Sequence, residues 1–164
     1  MKKISVAKII IASSVIFTST ASSATWHGMA VISDETAYFF DSETVQKTPS
    51  SVSIWVKTVR LSSPDKEGAW ATAWRRRFSC TARTIQTIAY SDYDEKGEFI
   101  SSGNREGPAE LVVPDTTGEA MLKIFCEPSF PNDKSEEKYW KIIDNDVYKA
   151  RDAIVSAGID IAPK

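Results

Sequence analysis

Three sets of side chains in this 164-residue sequence have chemistry to offer: two cysteines, one histidine and a run of three arginines. Cys80 and Cys126 form no C-x-x-C pair, so a redox role lacks its usual spacing. An even, minimal cysteine count in an exported chain predicts one structural disulfide. Cys80 ends the strand-like stretch from Trp74, and Cys126 ends the helix-like stretch from Gly118, so the bond would staple a helix to a sheet. His27 is the sole histidine, and no His/Cys/carboxylate spacing supports a zinc site around it. Ser79 and Ser101 lack a base other than His27, and no G-x-S-x-G occurs. Asp92, Asp94 and Glu95 fall in a hairpin turn, where carboxylates solubilise rather than act as acid and base. The expectation is a protein that is not an enzyme and carries no cofactor or metal.

The arginines have a positional meaning. On a strand Arg75 and Arg77 share a face, whereas Arg76 lies with Trp74, Phe78 and Cys80, its stem packed and its head in water. The cluster reads either as an anion or glycan-sulfate patch or as a solvated sheet edge that discourages aggregation. Phe39 and Trp55 sit on strands whose opposite faces are also apolar, Tyr38 and Phe40 in one case and Ile54 and Val56 in the other. A sheet with two apolar faces needs two covers. Either a helix lies on each face, or one face is left for a second copy or for a host or envelope protein. Phe39, Trp55, Arg75 and Arg77 are therefore the expected binding surface.

The elements that position these residues can be read from periodicity. Strands are expected at Trp26–Ile32, Thr36–Asp41, Val52–Arg60, Trp74–Cys80, Ile85–Tyr93 and Glu98–Ser101, with turns at Thr81–Thr84 and Asp94–Gly97. Thr116 and Glu119 have capping-box spacing, so a helix starts there; Pro128 and Pro131 stop it. A second amphipathic helix is expected from about Asp133 to Ala157, with Tyr139, Trp140, Ile143, Val147, Ala150 and Ile154 on its apolar stripe and Gly158 ending it. About six strands with short connections, then helices, spell an α+β fold with an antiparallel sheet. At the start, Lys2, Lys3, the apolar run Ile9–Phe17 and the small residues Ala21–Ala24 read as a cleaved signal peptide, too short to span a bilayer. The expected layout is a signal peptide over 1–24, an α+β domain over 25–130 and a helical extension over 131–164. The 20 basic residues less three leader lysines leave 17 against 22 acidic ones, so the mature charge of −5 exerts no global pull on nucleic acid.

One order of residues is distinctive: Trp26, the aromatic strand Tyr38–Asp41, the V-x-I-W-V-K strand Val52–Lys57, Phe78-x-Cys80, the Tyr93–Gly97 hairpin, Pro114-x-Thr-x-Gly-Glu and Cys126. It resembles the surface-adhesin protein E family of exported Gram-negative bacterial domains over about residues 26 to 127. The resemblance implies an antiparallel sheet with its C-terminal helix tethered to one face through Cys80 and Cys126. It further implies location in the periplasm or at the cell surface. The implied role is a non-catalytic binding module for host matrix or envelope macromolecules that can dimerise. The alternative is a periplasmic structural or envelope-maintenance protein without a host ligand. Two departures are the missing lipidated cysteine and the extra C-terminal helix.

Overall fold

Alternation of Val52, Ile54 and Val56 with Ser53, Trp55 and Lys57 makes β4 (Ser51–Arg60) a strand with two different faces, and it lies in the middle of the sheet. The computed structural model describes residues 24–33, 35–131, 139–141 and 146–157. Its other strands are β1 (Trp26–Ser33), β2 (Thr36–Asp41), β3 (Gln46–Lys47), β5 (Ala71–Ser79), β6 (Thr84–Tyr93), β7 (Phe99–Asn104), β8 (Glu110–Leu111) and β9 (Tyr139–Lys141). They form one antiparallel sheet in the order β7-β6-β5-β4-β2-β1-β9, with β3 added to β4 and β8 to β6. The two helices are α1 (Thr117–Cys126) and α2 (Val147–Ser156). The α+β class is as expected, with three short strands beyond the six foreseen. The expected signal segment, all but its last residue, lies outside the described residues. No helix among the described residues is long and apolar enough to cross a membrane.

Each sheet face has its own core. Met29, Phe40, Val52, Ile54, Val56 and Phe78 receive Met121, Leu122 and Phe125 of α1, with Phe130 closing the end. Phe125 meets Phe40, Phe78 and Phe130 in edge-on contacts with centroids 4.9–5.7 Å apart, the geometry that aromatic quadrupoles favour. The cap on α1 forms as its sequence predicts, with the Thr116 hydroxyl accepting from the Glu119 amide at 3.3 Å. Its return bond is shifted by one residue: Glu119 accepts from the amide of Asp115, whose φ is +60°. Cys80 and Cys126 are bonded, tying the last residue of α1 to the residue after β5. On the opposite face, Ala37, Phe39, Val59, Leu61 and Ala71 pack against Val147 and Ile154 of α2.

The helix expected from Asp133 needs correction. Tyr139–Lys141 is instead an edge strand, with Trp140 opposite Gly28 of β1. An aromatic pair suits a strand, and β1 had an open row of backbone donors and acceptors to pair with. The helix α2 starts at Val147, where Asp146 caps it by accepting from the amides of Tyr148 and Lys149 at 3.0 and 3.1 Å. The proposed Asp133–Glu136 box and Gly158 lie outside the described residues.

Candidate functional site

Cross-strand register decides which of the singled-out side chains meet. Trp55 stands directly opposite Arg75, and Arg77 lies two positions further along β5 on the same face. This is the face that α2 covers, but at its other end. The 3-10 turn at Ser42–Thr44 frames that end. The Thr44 carbonyl accepts from an Arg75 guanidinium N–H at 3.0 Å, and the Thr44 hydroxyl accepts from the Trp55 amide at 3.3 Å. Burial first, and the like charge of Arg77 second, pull the Arg75 guanidinium pKa down, while Asp41 opposes them. Arg77 is exposed and donates to the Gln86 side chain at 3.1 Å. One indole and two guanidinium groups thus share a patch on an otherwise acidic chain.

Phe39 does not belong to that patch. It is 0% exposed beneath α2, beside Val59 and Ala71, and this corrects the expectation that it contributes to a binding surface. Register sets Phe39 opposite Lys57 and so on the face of β4 that also carries Trp55. It does not say that the C-terminal helix shields one and leaves the other. Arg76 also differs from expectation. Its guanidinium lies 5.6 Å from the Trp74 ring, and its Nε is buried with no hydrogen-bond partner among the described residues, so its head is not simply in water.

His27 stacks on Phe40 at 5.1 Å, and its Nε2 is 3.0 Å from the Ser42 hydroxyl. A nucleophilic serine needs a base, a group that orients the base, and an oxyanion site. This contact brings an imidazole to a serine, and the serine hydroxyl also faces the Thr25 carbonyl at 3.5 Å. Among the described residues no group of three or more His, Cys, Asp or Glu side chains is placed to hold a metal ion.

A feature the sequence did not reveal joins α2 to the sheet. The Lys57 ammonium sits over the rings of Tyr93, Trp26 and Tyr148 at 4.3, 5.3 and 5.6 Å. Burial pushes its pKa from 10.5 down to about 8, and Asp146 at the start of α2 opposes the shift. Three ring faces also favour the charged form. The cage draws on β1, β4, β6 and α2, so no local pattern could announce it. In the sequence Lys57 shows only as a charge on the face of its strand away from Val52, Ile54 and Val56.

The model of the family described as surface-adhesin protein E matches residues 26–127. Two solved structures of protein E from Haemophilus influenzae are similar. The selenomethionine form is 20% identical, covering 54% of this chain and 78% of that one with a TM-score of 0.38. The form from a non-typeable strain is 18% identical, covering 66% and 78% with a TM-score of 0.41. No curated protein matches this sequence. The family match runs from the first strand through both cysteines and ends just past α1, and on that extent the chain belongs to the surface-adhesin protein E family.

Proposed function

We propose that this is an exported, non-catalytic binding module that contacts an acidic region of a host or envelope macromolecule through Trp55, Arg75 and Arg77. The observation that carries this reading is the family match over residues 26–127. The patch supports it independently. Tryptophan and arginine are the residue types that dominate binding energy at interfaces, and here they are held in register on a rigid central pair of strands. The guanidinium of Arg75 is pre-oriented by Thr44, which lowers the ordering cost of a contact.

Protease treatment of intact bacteria, followed by detection of the chain, tests the location. Loss of the protein from intact cells supports surface binding. Survival until the outer membrane is opened would place it in the periplasm and favour the structural, envelope-maintenance role. Ser42→Ala should leave any binding activity unchanged, since the His27–Ser42 pair has no place in this function.

A further inference from the structure

The run Arg75–Arg77 is split by strand alternation, and its middle member faces the α1 side of the sheet. Arg76 lines an open cleft of about 380 Å³ with Trp74, Ile85, Thr87, Arg105 and Glu110, a size within the range of small-ligand sites. One Arg76 N–H reaches the Met121 sulfur at 3.9 Å, a weak acceptor. Among the described residues no oxygen acceptor and no carboxylate at ion-pair distance serves the rest of the guanidinium, and Nε is buried unpaired. Burial pulls its pKa down against the opposing influence of Tyr38 and Glu110. Arginine stays charged, so a largely desolvated cation stands at a cleft wall with no ion pair among the described residues, Glu110 acting on it only from beyond ion-pair distance.

We propose that this cleft is a binding site for a single carboxylate carried on a flat or apolar body, such as the C-terminal residue of a peptide or a free aromatic acid. The carboxylate would take the terminal N–H groups of Arg76, and Arg105 on the rim would add a second positive charge. Ile85 and the Trp74 ring supply the apolar wall for the attached body. Glu110 on the same cleft disfavours a polyanion, which would bring further negative charge against it. The site is on the sheet face opposite Trp55, Arg75 and Arg77, so it stands or falls apart from the proposed contact surface.

The test is an NMR titration of the isotope-labelled folded protein with benzoate, reading the Trp74 indole N–H and the Arg76 Nε–H signals. Benzamide serves as the uncharged control, and peptides differing only in a free or amidated C-terminus separate the two sources of carboxylate. Benzoate should shift both signals saturably, while benzamide leaves them in place. Arg76→Gln should weaken benzoate by about tenfold or more, as expected for loss of a charge-assisted pair. Should that variant not fold, the exposed Glu110→Gln and Arg105→Gln must respectively tighten and weaken benzoate binding. Equal shifts with benzoate and benzamide would overturn the proposal, as would no shift with either. A sulfated heparin oligosaccharide displacing benzoate from the cleft would overturn it too.

Discussion

Replacing Lys57 by methionine keeps an unbranched side chain one atom shorter and removes the charge from the cage of Trp26, Tyr93 and Tyr148. The lysine pKa falls from 10.5 in the unfolded chain to about 8 in the fold, mainly through burial, with Asp146 opposing. Below pH 8 both states are charged, and the fold bears the whole cost of burying the ammonium. Between pH 8 and 10.5 the unfolded state holds the extra proton, so stability rises with pH. At about 1.4 kcal/mol per pH unit, the wild type should gain about 2 kcal/mol between pH 7 and pH 9.5. Lys57→Met should lack that gain. The three ring contacts favour the charged form and reduce the cost at neutral pH, so the informative quantity is the difference between the two pH profiles. Urea unfolding of both proteins at the two pH values measures it. Profiles that coincide within about 0.5 kcal/mol would show instead that the rings and Asp146 fully compensate burial and that Lys57 titrates alike in both states. Tyr148, whose own pKa burial pushes upward, should cost stability only above its ordinary titration near 10, so pH 9.5 keeps the lysine effect separate.

Other perturbations probe the frame around the patch. The double variant Cys80→Ala/Cys126→Ala opens a linkage between residues 46 apart; chain entropy predicts a loss of up to about 4 kcal/mol, or a melting-temperature drop near 15 °C. A loss under about 1 kcal/mol would show that the unfolded chain is not constrained by the bond. Phe125→Ala removes a fully buried ring that touches three others and should cost about 3–5 kcal/mol by chemical denaturation. Gly97→Ala puts a Cβ 2.9 Å from the Tyr148 ring at a φ of +81°; a loss of about 1–2 kcal/mol with increased hydrogen exchange in α2 is expected.

Local signals were legible where neighbours in sequence are neighbours in space. The Val52–Ile54–Val56 alternation, the Thr116 cap, the Asp94–Gly97 turn and the placement of Cys80 and Cys126 all rest on contacts within a few residues or on a covalent constraint. The β6–β7 turn closes through the Gly97 amide onto the Asp94 carbonyl at 3.1 Å, with Gly97 at positive φ as its position requires. The patch was half legible: alternation put Arg75 and Arg77 on one face of their strand, and only register placed them beside Trp55. What failed depended on distant partners. Tyr139–Lys141 became a strand because β1 offered an edge, and Phe39 was lost to the surface because α2 folds back over it. Arg76 has the same parity signal as Phe78, yet only the three-dimensional fold shows that α1 covers one and leaves the other at a cleft.

Binding of a macromolecule through the Trp55–Arg75–Arg77 patch is the proposed role of this family member. Its most direct test is the binding of purified mature protein to an immobilised basement-membrane extract and to isolated cell envelopes, compared with the double variant Trp55→Ala/Arg77→Glu. Saturable wild-type binding to either surface, weakened at least about tenfold in a variant with unchanged melting temperature, is the predicted result. Binding that the folded variant retains in full, or no wild-type binding to either surface, would contradict it.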